Sequence, residues 1–187
     1  ESLPILRGIN MHLAEGEIHG LVGESGAGKT MLGRVILDIL PPTAVITSGG
    51  VDFPSSTSSP SLGRTAGDRR HSRISLIPQD PMTSLNPVKR IGKQMGEILR
   101  LAHAGSSGQI RERAERLLRE VRIKKPDQVL QQYPHQLSGG MRQRVLIAMA
   151  FSTEPRIVIA DEPTTALDVS VQRQVLRLIR DLQKNRG

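Results

Sequence analysis

Apolar positions along this chain fall into short unbroken runs and longer stretches of helical period. Ile18 to Val22 is a short apolar run leading into glycines, and helix-forming residues resume at Lys29. That order predicts a strand, a loop and a helix from about Lys29 to Leu40, closed by Pro41-Pro42, which cannot continue a helix. Residues 47–68 are rich in Ser, Gly, Pro and Thr and read as a surface loop or a small irregular β lobe. Ile74 to Ile77 predicts a second strand. From Asp80 to Ala150 the pattern is helical, with Ile110, Ala114, Leu117, Leu118 and Val121 on one face. Ile157 to Ala160 is an apolar run of strand length, suited to a sheet covered on both faces. Val171, Val175, Leu178, Ile179 and Leu182 mark a last amphipathic helix. Strands alternating with helices indicate an α/β fold with a mostly parallel sheet. The expected organisation is one domain over residues 1–187, with a helical lobe of about 80–150 inserted between the second and third strands.

Composition constrains partners more than fold. The chain has 187 residues and no cysteine, which excludes disulfide scaffolds, zinc ribbons and thiol catalysis. No apolar run approaches the ~20 residues of a membrane helix, and the first residues do not read as a secretory signal, so a membrane role is expected to run through a partner. Lys and Arg number 26 against 18 Asp and Glu, a formal net charge of +8. Such an excess suits nucleic acid, acidic lipid or an anionic ligand. Base stacking requires aromatics, and only Phe53, Tyr133 and Phe151 are present, which argues against a base-stacking platform; duplex backbone binding stays open, and a solvated basic surface is the favoured reading.

Candidate chemistry begins at Gly23-Glu24-Ser25-Gly26-Ala27-Gly28-Lys29-Thr30, which fits G-x-x-x-x-G-K-[ST] between the first strand and the first helix. Glycines let backbone N–H groups turn inward around an anion, and the helix N-terminus adds its positive end. Lys29 then reaches the β- and γ-phosphates of a nucleotide, and the Thr30 hydroxyl ligates Mg²⁺. Asp161-Glu162 follows the apolar run at Ile157 directly. In a parallel sheet ligands gather at the carboxyl ends of strands, so both carboxylates are expected to face the phosphate loop. Asp161 is placed to hold Mg²⁺, directly or through water, and Glu162 to orient or deprotonate the attacking water. A second anion site is read at Ser138-Gly139-Gly140, where a hydroxyl and bare N–H groups stand at a helix start.

Leu137-Ser138-Gly139-Gly140-Met141-Arg142-Gln143, in order with the phosphate loop and the acidic pair, resembles the signature of ABC transporter ATP-binding domains. The resemblance covers about Leu6 to Gln183. It implies a head-to-tail dimer in which the signature of one subunit closes on the ATP held by the other. Gln79 matches the family's glutamine that senses metal and water, and Asp168, in Ala166-Leu167-Asp168, matches the loop that contacts the opposite subunit. Gln79-Asp80-Pro81-Met82-Thr83-Ser84-Leu85-Asn86-Pro87 is similar to the stretch found in oligopeptide, dipeptide and nickel import ATPases. Such ATPases lie on the cytoplasmic face of the bacterial inner membrane, bound to two permease subunits that an extracytoplasmic solute-binding protein feeds. His135, beside Pro134, reads as a surface residue rather than a metal ligand, and Arg142 and Arg144 as the solvated side of the signature helix.

Three features depart from the family pattern. None of His12, His19, His71, His103 and His135 falls where the family's γ-phosphate histidine would stand. No aromatic precedes the phosphate loop to stack on adenine. Pro78 stands before Gln79 where the subfamily tends to have phenylalanine. The first two elements would lie beyond the two ends, so the expectation is an excerpt of a longer protein that binds ATP poorly by itself. The alternatives are a non-hydrolysing ATP-binding fragment and a DNA-maintenance ABC ATPase. Against the second, no long heptad run is present.

Overall fold

β1 (Ile74–Ile77) and β2 (Ile157–Ala160) pair in parallel, with Ile74 opposite Ile157 and Ile77 opposite Ala160. The computed structural model describes residues 3–52, 74–165 and 167–186. Within it the chain divides into two compact units, Glu1–His71 and Ser72–Gly187.

In the first unit the regular element is α1 (Lys29–Leu37). It is shorter than the expected helix, because Asp38 takes a left-handed conformation (φ 57°) and its N–H turns back to the carbonyls of Arg34 and Val35. The expected strand at Ile18 to Val22 is not formed: these residues are exposed and carry no ladder. An extended segment becomes a strand only by pairing, and among the described residues of this unit none lies alongside it. Glu17, just upstream, is held below the usual carboxylate range chiefly because it accepts the Ala14 N–H, at 2.9 Å. The expected loop or β lobe over 47–68 lies mostly outside the described residues, as do Phe53 and His71, and residues 47–52 contain no strand.

The second unit carries the buried core. α2 (Pro81–Ser84) is capped by Asp80, whose carboxylate accepts the Met82 N–H at 2.8 Å. α3 (Ile91–Ala102) buries Ile91, Met95 and Leu99. α4 (Ser107–Glu120) opens on a reciprocal cap between Ser106 and Gln109 and buries Ile110, Ala114, Leu117 and Leu118, the expected face. α5 (Pro126–Gln131) starts with proline at its first position, where no N–H is needed. A 3₁₀ turn (Pro134–Gln136) leads to α6 (Gly139–Phe151), whose last seven residues, Val145 to Phe151, are all buried. That helix runs through the centre of the core, so apolar residues surround it instead of forming one stripe. α7 (Val169–Arg186) buries Val175, Leu178 and Leu182, with Val171 and Ile179 packed at the margin.

β2 departs from the expected double burial. Ile157, Val158 and Ile159 are only partly buried and Ala160 is exposed. Among the described residues its sole ladder partner is β1, so its other edge has no ladder partner there.

Candidate functional site

The phosphate loop folds within the first unit as the glycine pattern requires. Gly26 and Gly28 have φ of 82° and 90°, a region costly for any side chain. Gly28 is also crowded, since a Cβ there would lie 2.9 Å from Leu6 Cδ2. The loop closes with Ala27 N–H donating to the Glu24 carbonyl at 3.2 Å, and α1 begins as Leu32 N–H donates to the Gly28 carbonyl at 2.9 Å. Lys29 Nζ bridges the loop, donating to the carbonyls of Gly23 (2.8 Å) and Glu24 (2.7 Å). The ammonium is thereby drawn over the loop, and Thr30 follows it in the first turn of α1. The context differs from expectation only upstream, where the loop is preceded by an extended segment in place of a strand.

In the second unit the parallel register brings two further site residues together. Ile77 and Ala160 are paired, so Gln79 and Glu162 each stand two residues beyond the ends of adjacent strands. Asp161 N–H donates to the Ile77 carbonyl at 3.0 Å and fixes that level. Gln79 Nε2 then donates to Glu162 Oε2 at 2.8 Å. Glu162 itself has φ 44°, left-handed and non-glycine, a conformation costly enough to be kept only where its surroundings hold it. Thr165 supplies part of that hold, its hydroxyl donating to Glu162 Oε2 at 3.1 Å. Thr165 was not singled out from the sequence, although a hydroxyl three residues after an acidic residue in a turn is a recognisable local pattern.

The signature forms the start of α6. Ser138 is its N-cap, with Oγ accepting the Met141 N–H at 3.3 Å and the carbonyl accepting from Arg142 at 3.0 Å. Gly139 and Gly140 face the start of α7: a Cβ on Gly139 would lie 3.6 Å from Leu167 Cδ2, and one on Gly140 3.1 Å from Val171 Cγ1. Asp168 opens α7, its carbonyl accepting the N–H groups of Val171 and Gln172, both at 2.9 Å. Signature and Asp168 loop are therefore neighbours in one chain.

Arg142 and Arg144 are not merely solvated. Arg142 Nε donates to the Pro134 carbonyl at 2.8 Å. Arg144 donates to the Val121 carbonyl (2.9 Å) and to Gln174 Oε1 (3.0 Å), and partial burial, then the nearby Arg122, lower its pKa. Both residues are partly buried, and their guanidinium groups find polar partners on neighbouring elements. His135 is exposed and its ring stacks on Tyr133, with centroids 5.7 Å apart.

The donors suit a nucleotide with Mg²⁺. The Thr30 hydroxyl in the first unit and, separately, the Asp161 carboxylate in the second are hard oxygen donors of the type Mg²⁺ takes. Gln79 uses its amide nitrogen on Glu162, which leaves its amide oxygen as an acceptor.

The family described as ABC transporter matches residues 6–165. The chain belongs to that family. A probable peptide ABC transporter ATP-binding protein of Sinorhizobium fredii is 46% identical over 183 residues, 97% of this chain and 55% of the relative. The oligopeptide transport ATP-binding protein OppD of Bacillus subtilis is 44% identical over 180 residues, 96% of this chain and 50% of the relative. The chain thus spans about half the length of the curated relatives it matches. Among solved structures, the dimeric post-hydrolysis ATP-binding cassette MJ0796 bound to ADP and Pi aligns with a TM-score of 0.74 at 26% identity, covering 98% of this chain and 76% of that one. These likenesses carry the α/β P-loop fold of ABC cassettes. No helix among the described residues is long and apolar enough to cross a membrane.

Proposed function

We propose that this chain is the ATP-binding and ATP-hydrolysing part of a subunit that powers import of peptides through a membrane permease. The observation that carries this reading is the Gln79–Glu162 hydrogen bond, set by the strand register, in a family member whose relatives are named peptide transport ATP-binding proteins. Residues 23–30 cradle the phosphates, with Lys29 on the β- and γ-groups. By their motifs, Thr30 in the first unit and Asp161 and the Gln79 oxygen in the second are the residues that would hold Mg²⁺, and the metal would supply neutralisation of phosphate charge. Glu162 orients the attacking water or takes its proton, and Gln79 and Thr165 hold the carboxylate in place.

Ser138, Gly139, Gly140 and Asp168 serve a second ATP-binding subunit in a head-to-tail dimer, since one chain needs only one phosphate cradle for one nucleotide. Two transmembrane permease subunits receive the motion, and an extracytoplasmic binding protein delivers the solute. The complex places this chain at the cytoplasmic face of the cell membrane as a peripheral subunit. Glu162→Gln in the full-length protein tests the assignment. ATP binding should persist while turnover is nearly abolished, and unchanged turnover would remove Glu162 from this role.

A further inference from the structure

We propose that the groove between α3, α4 and α5 is a further anion site, built for a small phosphate-bearing molecule. The cavity holds about 280 Å³ and is lined by Arg90, Lys93 and Arg100 from α3 and its cap, and by Arg111 from α4. No residue lining it is acidic. Its floor is apolar, from Ile110, Ala114 and Leu130. The phosphate loop, in the first unit, contributes none of its lining.

The cations are arranged, not scattered. A Cβ on Gly96 would lie 3.3 Å from Arg100 Nη1, so the guanidinium lies across that glycine and any side chain there would displace it. Arg90 is anchored at the other end, donating to Gln131 Oε1 at 3.2 Å with its guanidinium 5.8 Å from the Tyr133 ring centre. Arg111 shares its charge with Glu115 at 3.2 Å. Glu97, on the same helix as Lys93 and Arg100, is taken by Lys89 at 2.9 Å. Among the described residues no carboxylate pairs with Lys93 or Arg100. A cleft lined by one sign of charge concentrates counter-ions, and planar guanidinium groups match phosphate oxygens in pairs. The groove's volume falls just below the ~300–1,000 Å³ of ordinary small-molecule sites and fits a phosphate or diphosphate group.

The test uses the full-length protein carrying Lys29→Ala, which removes the phosphate-loop lysine, with inorganic pyrophosphate as probe in titration calorimetry. One pyrophosphate per chain is expected to remain bound, with affinity falling as salt rises. Adding Lys93→Glu and Arg100→Glu should weaken it by on the order of tenfold or more. Lys93→Gln with Arg100→Gln, a milder pair, should weaken it in the same direction, and circular dichroism checks that both fold. Sedimentation with phosphatidic acid vesicles separates the sources. Vesicle binding without pyrophosphate binding, lost in the same variants, assigns the phosphate to a lipid headgroup. Binding to neither probe, or binding that the charge changes leave intact, overturns the proposal.

Discussion

Gln79 Nε2 donates to Glu162 Oε2 at 2.8 Å although 83 residues separate them in the chain. The contact follows from one pairing, Ile77 with Ala160, and an equal overhang of two residues on each strand. Glu162 carries a left-handed backbone, and its carboxylate is held by hydrogen bonds from Gln79 and Thr165. Gln79→Ala should therefore leave nucleotide binding near its original strength while kcat falls on the order of ten- to a hundredfold. Thr165→Val, which removes the longer bond, should cost less. Steady-state kinetics with a separate nucleotide-binding assay distinguishes the two effects.

Gln94 is buried at 9% exposure and clamps the loop after α2. Its Oε1 accepts the Asn86 N–H at 2.9 Å, and its Nε2 donates to the carbonyls of Asn86 (3.0 Å) and Lys89 (2.9 Å). Gln94→Leu would keep the volume and orphan two backbone groups, the Asn86 N–H and the Lys89 carbonyl, while the Asn86 carbonyl keeps the Lys89 N–H at 3.3 Å. The expected loss is about 1–3 kcal/mol in urea unfolding, with proteolytic cleavage appearing near residues 86–89.

Much of this organisation was legible in the chain itself, and the misses have one physical origin. Ile74–Ile77 and Ile157–Ala160 were readable as apolar runs of strand length, and the Ile110–Leu118 face because its helical period agrees with its burial. The loop at Gly23 to Thr30 was readable because positive φ at Gly26 and Gly28 is a demand that glycine announces. The strand at Ile18 to Val22 was not, since a strand exists only with a partner that its own residues do not specify. Arg142 and Arg144 likewise owe their bonds to how the chain packs around their helix. Nothing in their immediate neighbours shows that an arginine on a signature helix will end on the Pro134 or Val121 carbonyl.

Gly92 and Gly108 offer a matched pair of helix glycines with opposite expected outcomes. A Cβ on Gly92 would lie 2.7 Å from the Leu130 carbonyl oxygen, a backbone atom that moves only if α5 moves. Gly92→Ala should destabilise by about 1–3 kcal/mol, despite the ~1 kcal/mol that alanine gains in helix propensity. On Gly108 the nearest atom is Ser106 Oγ at 3.9 Å, ordinary contact. Gly108→Ala should stabilise by about 0.5–1 kcal/mol. Thermal denaturation of the two variants beside the parent checks both signs.

Arg144 ties three elements together: it sits in α6, donates to the Val121 carbonyl at the end of α4, and donates to Gln174 in α7. Burial and the neighbouring Arg122 work against its charge, and Arg122 is in turn held by Asp181 at 2.8 Å. The charge is retained because the guanidinium satisfies the Val121 carbonyl and Gln174 from one planar fork. Lysine has the charge without the fork, so Arg144→Lys should lose at least one bond, at about 1 kcal/mol. Arg144→Met keeps most of the stem packing but leaves the Val121 carbonyl unpaired, and should cost about 1–3 kcal/mol. If fork geometry matters more than charge, the lysine variant will fall closer to methionine than to the parent in urea midpoint. Equal stability of all three would show that α4, α6 and α7 are held by apolar packing alone.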